Sequence, residues 1–491
     1  MNPVQKASSP ASASPASADS SASSFGSLPL SQAMQANLVQ LGYTEMTPIQ
    51  AASLPLALQG VDLIAQAQTG SGKTAAFALA LLHRLDTSRL AVQALVMCPT
   101  RELAEQVTQE IRRLARAADN VKVLTLCGGS PMKPQMESLS FGAHVAVGTP
   151  GRLLDHLERG SLSLDALQTL VLDEADRMLD MGFVDDIAAV VKQAPKNRQT
   201  LLFSATYPEG VVELASRFTH QARHLQIAAA QAAAQDQIRQ LAYEVGENQR
   251  LHAVSLLLAH FRPARTIAFC NTKRQCRDLV DVLSAQGLVA MALHGDLEQR
   301  DRDQVLIQFA NGSCSVLVAT DVAARGLDIA QLECVINVDI SADVEQHLHR
   351  IGRTGRAGAG GLALSLSSMD EMGRVGRIEQ LMSREFEWAP LDSLVPAAGG
   401  PLEPAMDTLQ ILGGRKDKIR PGDILGALTG EAGFASADIG KINVTDFHSY
   451  VAVKRSMARQ IVQRLSGGKL KGRKVKAVSY THLRAHETSL H

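Results

Sequence analysis

The chain has 491 residues, 45% of them hydrophobic, with 49 Lys plus Arg against 49 Asp plus Glu. That length exceeds what one hydrophobic core fills, so two to four domains are expected, and no stretch approaches the roughly 18 apolar residues of a membrane span. Six cysteines (Cys98, Cys127, Cys270, Cys276, Cys314 and Cys334) form no C-x-x-C pair, which argues against zinc and a disulfide framework and fits a reduced cytosol.

Residues 1–24 contain 18 Ala, Ser or Pro. So little apolar surface cannot offset the entropy of ordering, and a disordered tail is expected. Lys6 has no apolar block behind it, so no secretory signal is expected either.

From Phe25 to about residue 228, apolar runs alternate with helix-like stretches: LIAQA (63–67), ALVMC (94–98), KVLTLC (122–127), HVAVGTP (144–150), TLVLDE (169–174) and TLLFSAT (200–206). Near-continuous apolar strands between helices predict a parallel sheet covered on both faces. AAAQAAAQ (229–236) has no packing pattern and reads as a linker. A second α/β block follows over residues 237–384, with TIAFCN (266–271), VAMALHG (289–295), SVLVATD (315–321), CVINVD (334–339) and GLALSL (361–366).

Residues 385–405 hold Pro390, Pro396, Pro401 and Pro404 with Gly399 and Gly400, a composition that reads as a connection. Beyond it, residues 407–478 carry 14 Lys plus Arg against 6 Asp plus Glu, an imbalance that points to a polyphosphate partner. The runs TLQILG, KINVTD and SYVAVK would hold this small third domain. The final stretch SYTHLRAHETSLH (479–491) breaks the basic pattern and resembles translated adapter sequence, so no fold is expected of it.

The chemistry begins at A-Q-T-G-S-G-K-T (67–74), which lies between a strand and a helix-like stretch. That context is what a phosphate-binding loop requires, although Ala67 stands where the generic motif has Gly. Gly70, Ser71 and Gly72 would turn their N–H groups toward the phosphates, Lys73 would hold the β and γ phosphates, and Thr74 would ligate Mg²⁺. One hundred residues on, Asp173, Glu174, Ala175 and Asp176 follow an apolar strand. Asp173 could hold Mg²⁺ through water and Glu174 could deprotonate an attacking water. Taken alone, the same four residues also suit a solvated acidic loop.

In this order the motifs resemble the DEAD-box RNA helicase family over roughly residues 25–384. The resemblance implies two RecA-like parallel-sheet domains in tandem, use of ATP and Mg²⁺, and local unwinding of RNA duplexes. GYTEMTPIQ (42–50) is similar to the family's Q motif, which implies that Gln50 reads adenine and Phe25 stacks on it. PTRELA (99–104), Gly128 with Gly129, and TPGR (149–152) imply RNA-backbone contacts from Pro99, Thr100, Arg101, Gly129, Thr149, Gly151 and Arg152. Ser204, Ala205 and Thr206, together with Asp176, match the segment that couples hydrolysis to strand separation.

In the second block, FCNTK (269–273), His294 with Gly295, and ATDVAARGLDI (319–329) imply RNA contacts from Thr272, Gly295 and Thr320 and a ribose contact from Asp328. HRIGRTGR (349–356) implies arginine fingers at Arg353 and Arg356 and a coupling role for His349, although alone it would also suit an exposed basic loop. Residues placed on two domains imply that ATP and RNA both favour a closed cleft, so each tightens the other's binding.

Residues 406–478 resemble the RNA-binding domain of the DbpA family of bacterial helicases, through LGGRKDKIRPGDILGALTGEAGF (412–434), IGKINVTDFHSYVAV (439–453) and GGKLKGRKVK (467–476). The resemblance implies an RRM-like β-α-β-β-α-β fold that recognises a 23S ribosomal RNA hairpin during assembly of the large ribosomal subunit. Lys469, Lys471, Arg473, Lys474 and Lys476 form a basic strip suited to phosphates. SYVAV supplies Tyr450 but no run of surface aromatics, which directs the expected contacts to the loops and edge around Lys416, Lys418 and Lys454.

The whole reading is a cytoplasmic, monomeric RNA helicase with ATP, Mg²⁺ and RNA as its partners and no zinc. An RNA-stimulated ATPase that clamps RNA without useful unwinding would carry the same motifs. A RecQ-type DNA helicase is disfavoured by D-E-A-D and by the lack of a cysteine cluster. A dead scaffold would have lost Lys73, Glu174 or Arg353.

Overall fold

Apolar runs of four to seven residues become strands because each is buried on both faces, and they assemble into two parallel sheets. The structure, a computed structural model, describes residues 24–67, 70–227, 238–324, 332–341, 343–355, 360–399, 403–470 and 473–480. The linker 229–236 and almost all of the expected tail 1–24 lie outside the described residues. The chain divides into two compact units, residues 1–227 and 228–491.

The first unit contains β1 (Leu63–Gln66), β2 (Ala94–Met97), β3 (Val123–Leu126), β4 (Val145–Gly148), β5 (Thr169–Leu172), β6 (Gln199–Ser204) and β7 (Arg223–Gln226). Their order in the sheet is β3-β4-β2-β5-β6-β1-β7, all parallel. Helices cover both faces. In the helix Arg101–Leu114 the buried residues Leu103, Ala104, Val107, Ile111 and Leu114 fall three or four apart, and Thr100 caps its N-terminus by accepting from Leu103 N at 3.2 Å.

The second unit repeats the plan. β8 (Ile238–Glu244), β9 (Thr266–Cys270), β10 (Ala290–Leu293), β11 (Val316–Thr320), β12 (Cys334–Asn337), β13 (Gly361–Ser367) and β14 (Glu387–Trp388) form a sheet in the order β10-β11-β9-β12-β13-β8-β14. The expectation that residues 385–405 only connect domains is corrected over much of its length. β14 joins β8, Phe386 and Leu394 are buried, and Ala397 N donates to Ala259 O at 3.0 Å. Proline and glycine stop helices there without stopping the chain from packing as an extended strap.

The same unit carries a small antiparallel sheet of β15 (Met406–Leu412), β16 (Ile439–Val444), β17 (His448–Lys454) and, after the hairpin β18 (Lys469–Leu470) and β19 (Arg473–Lys474), β20 (Ala477–Ser479). The order β16-β17-β15-β20, with helices Pro421–Gly426 and Ala458–Gly467 between strands, is the RRM-like arrangement. Ser479 and Tyr480 belong to this sheet, Tyr480 N donating to Thr408 O at 2.8 Å, which corrects the exclusion of these two positions. The remainder of the excluded stretch, residues 481–491, lies outside the described residues.

One face of the small sheet packs on its own helices through Leu409, Ile411, Val451 and Val453. The opposite face meets the loop 311–313 of the larger domain. Asn311 Nδ2 donates to Thr408 Oγ1 at 3.1 Å, Ser313 Oγ lies 2.6 Å from the same hydroxyl, and Asn443 Nδ2 donates to Asn311 Oδ1 at 3.3 Å. Tyr450, on that face, is buried, so the sheet offers no open aromatic platform there.

Candidate active site

Parallel strands deliver their loops to one edge, and strand order decides which loops become neighbours. In the first unit β5, β6 and β1 are adjacent, and the phosphate loop, D-E-A-D and S-A-T segments follow those three strands. β3, β4 and β2 form the other half of the sheet, and Gly129, Thr149, Gly151, Arg152, Pro99, Thr100 and Arg101 follow them. One edge therefore carries the residues expected to meet ATP on one half, here the ATP-type half, and those expected to meet RNA on the other, the RNA-type half.

In the ATP-type half, Gly70 and Gly72 have φ of 83° and 94°, the left-handed region that a side chain disfavours. Gly72 is required twice over, because a Cβ there would lie 2.6 Å from Gln50 Nε2. Gln50 closes on the loop, donating to Gly72 O at 3.1 Å and accepting from Thr47 N at 2.9 Å. It is thus fixed against the phosphate loop. Phe25 is buried against Tyr43, edge to face at 6.0 Å. Lys73 opens the helix Lys73–Arg84, is buried, and donates from Nζ to Ala67 O at 2.8 Å; Ser71 and Thr74 flank it, partly exposed.

Asp173, Glu174 and Asp176 are all buried, so the solvated-loop alternative does not hold. Burial pushes the Asp173 carboxyl up to about 7, against the pull of Lys73. Its Oδ1 is buried with no hydrogen-bond partner among the described residues. A buried carboxylate oxygen left without a partner fits a cation, and Thr74 supplies a hydroxyl on the adjacent loop. Glu174 takes φ of 54° at the start of the helix Ala175–Asp180.

Asp176 ties this segment to the next strand. Its Oδ2 accepts from Thr206 N and Oγ1, each at 3.0 Å, while its own N–H donates to Ser204 Oγ at 3.3 Å and Ser204 Oγ donates to Thr206 O at 2.6 Å. Three of the four residues expected to have a coupling role, Asp176, Ser204 and Thr206, form one hydrogen-bonded cluster.

On the RNA-type half, Arg152 donates to Ser130 O at 3.0 Å, joining the TPGR helix to the glycine turn, where Gly129 has φ of 72°. Arg101 pairs with Glu105 at 2.9 Å. Behind them, His156 links Ser161 Oγ at 2.8 Å and Gln135 Oε1 at 3.0 Å; no motif pointed to this buried support.

In the second unit, Thr272, Gly295 and Thr320 stand at the ends of β9, β10 and β11, which are again adjacent. Arg353 is buried just past the helix Val344–Ile351, which carries His349. Asp328, Arg356 and Lys471 lie outside the described residues, and Lys469 and Arg473 are placed only as members of the hairpin β18–β19. Among the described residues, no cluster of three His, Cys, Asp or Glu suits a metal, and no helix is long and apolar enough to cross a membrane.

Residues 47–214 match the model of the DEAD/DEAH box helicase family, residues 249–358 that of the helicase conserved C-terminal domain, and residues 408–478 that of the DbpA RNA binding domain. The ATP-dependent RNA helicase DbpA of Escherichia coli is 52% identical over 446 residues, which is 90% of this chain and 96% of that protein. The chain belongs to the DEAD-box ATP-dependent RNA helicases. It is an enzyme that binds RNA and hydrolyses ATP in an RNA-dependent manner. The helicase CshA of Streptococcus pneumoniae is 46% identical over 67% of this chain and 62% of its own length. Among solved structures, Saccharomyces cerevisiae Dbp5 bound to RNA and ADP BeF3 is similar with a TM-score of 0.69 and 31% identity, covering 75% of this chain and 96% of that one.

Proposed function

We propose that this helicase separates short RNA duplexes locally on 23S ribosomal RNA during assembly of the large ribosomal subunit. The observation that carries the reading is the third domain. It is RRM-like, strongly basic, matched to the DbpA RNA binding domain, and present in a chain that aligns with 96% of E. coli DbpA. With its sheet face against the larger domain, the cationic loops are its open RNA surface. Arg415, Lys418 and Arg420 line a cavity of about 560 Å³, and beside it Lys416 stands 4.2 Å over the exposed ring of Phe447. A cation stacked on an exposed ring can receive both phosphate and base.

In the motor, Gly70, Ser71, Gly72 and Lys73 hold the ATP phosphates, Gln50 and Phe25 the adenine, and Asp328 the ribose. Thr74 and Asp173 would hold Mg²⁺, which would neutralise charge on the phosphates. Glu174 takes the proton of the attacking water, and Arg353 and Arg356 stabilise the charge that develops. Asp176, Ser204, Thr206 and His349 transmit closure to the RNA contacts at Thr100, Arg101, Gly129, Thr149, Arg152, Thr272, Gly295 and Thr320. The enzyme acts as a monomer in the cytoplasm.

Steady-state ATP hydrolysis, measured at fixed salt with no RNA, with arbitrary RNA and with 23S ribosomal RNA, tests the targeting. Selective stimulation by 23S RNA is expected, and removal of residues 406–480 should abolish the selectivity. Equal stimulation by every RNA would reduce the third domain to a general anchor. A duplex-release assay separates unwinding from clamping.

A further inference from the structure

The two large sheets share one strand order, so each position around the phosphate site has a counterpart in the second domain. β8 stands where β1 stands, β12 where β5 stands and β13 where β6 stands. No glycine loop follows β8; the next α-helix, Arg250–Phe261, opens on a buried arginine. The Arg250 guanidinium donates to Val338 O at 2.7 Å and Leu366 O at 3.2 Å, lies 3.5 Å from Asp339 Oδ1, and is hydrogen-bonded to Glu371. In the first domain Lys73, likewise from the helix after the counterpart strand, faces Asp173 after β5. There the carboxylate keeps an oxygen without a partner; in the second domain the guanidinium fills the equivalent place and a second carboxylate closes it.

The filled position continues into the predicted RNA-contact segments. Asp339 accepts from Asn271 N at 2.8 Å and from Gln275 Nε2 at 3.0 Å, on either side of Thr272. Its backbone carbonyl accepts from Arg350 at 2.7 Å. Arg350 lies in H-R-I-G-R-T-G-R yet is only 1% exposed. Its remaining donors go to both oxygens of Asp321 at 2.6 Å, to Asn337 Oδ1 at 3.3 Å and to Asn271 Oδ1 at 3.3 Å. All five N–H groups of a guanidinium are thereby used, leaving none for a phosphate. Asp321 is the residue after Thr320, and Arg353 follows Arg350 by three.

We propose that Arg250 and Arg350 are positioning residues. Arg250 plugs the place that the phosphate loop takes in the first domain and, through Asp339, holds Asn271, Gln275 and Arg350 so that Thr272 and Thr320 meet RNA and Arg353 meets ATP. The proposal rests on the site roles given under Proposed function, and its test separates the two.

The test uses the full chain, ATP and 23S ribosomal RNA. Arg250→Lys keeps the charge and loses the fork; Asn271→Ala and Gln275→Leu change side chains that are not buried and spare the core. Arg250→Lys is expected to lower RNA-stimulated kcat about tenfold or more, as a displaced contact segment does, with the nucleotide Kd in the absence of RNA held within about twofold. Asn271→Ala removes the side-chain oxygen that accepts from Arg350 and should act in the same direction, and the double variant should lose less than the product of the two, because both act through Arg350. Strictly multiplicative losses, or normal RNA-stimulated kcat in a folded Arg250→Lys protein, overturn the proposal. Should Arg250→Lys not fold, Asn271→Ala and Gln275→Leu decide: unchanged kcat and RNA dependence in both overturns it. Thr272→Ala and Arg353→Ala run alongside, and if neither changes RNA binding or turnover, the site roles fail and the proposal with them.

Discussion

The first two domains hold seven strands in one order and differ in what stands at the ends of three of them. In the first, glycines at positive φ, a lysine and an aspartate with an unpaired oxygen form a cradle that a ligand must complete. In the second, an arginine between two carboxylates completes itself. The incomplete site is the one proposed to bind ATP and turn it over, and the satisfied one is proposed to support its neighbours. A shared fold therefore says where function can lie, and the side chains at the strand ends decide between the two domains.

The largest expected effect breaks the first cradle. Glu174→Gln should lower ATP turnover by about 10²- to 10⁴-fold, the range for loss of a general base, while ATP and RNA still bind. Normal steady-state hydrolysis would remove Glu174 from that role.

Next, Arg250→Ala removes the guanidinium that lies between the buried Asp339 and Glu371 carboxylates and should cost the second domain about 3–5 kcal/mol. Trp388 is the single tryptophan and sits in β14, so its fluorescence during urea unfolding reports this domain. Lys73→Ala should cost the first domain only about 1 kcal/mol, the scale of one hydrogen bond, because Asp173, at about 7, can take up a proton instead. Equal losses, measured calorimetrically, would erase the contrast between the two sites.

Acid should also separate the domains. His347 is fully buried in the second, and burial, then the Arg350 charge, lowers it from 6.5 to about 3. The folded state keeps it neutral while the unfolded chain binds a proton below 6.5, so its contribution is full above that pH and is lost on acidification. The Trp388 transition should lose about 1.4 kcal/mol per pH unit from this group below 6.5, and His347→Leu should flatten the profile by that slope. An unchanged slope would discard the assignment.

The smallest effect concerns coupling. Thr206→Ala removes the hydroxyl bond to Asp176 and should cost about 1 kcal/mol of stability. Duplex release should fall more than ATP hydrolysis; equal losses would leave Thr206 a purely structural role.

Much was legible because it was local. The apolar runs became β1–β6 and β9–β13, and the glycine spacing before Lys73 produced the turn it implied. The polar edge strand β7, the mixed polar and apolar β8 and the two-residue β14 carry too weak a pattern to be read alone. Residues 386–398 look like a connection until Leu394 finds its place in the core, and Ser479 and Tyr480 look foreign until β15 offers them hydrogen bonds. SYVAV already argued against a stacking platform at Tyr450, but only the structure shows its sheet face occupied, by Asn311 and Ser313 bonded to Thr408.

By itself the sequence determined the family, the parallel α/β plan and the residues proposed to cradle ATP, since a phosphate loop's turn and chemistry lie within eight consecutive residues. Only the tertiary structure decided that Arg250, Asp339 and Glu371 meet, or that Arg350, inside a basic motif, is spent on the protein itself. Arg250 reaches Asp339 and Glu371 across 89 and 121 residues of chain, and their burial leaves these ions no alternative to one another. Strand order, which no short segment encodes, puts them in reach.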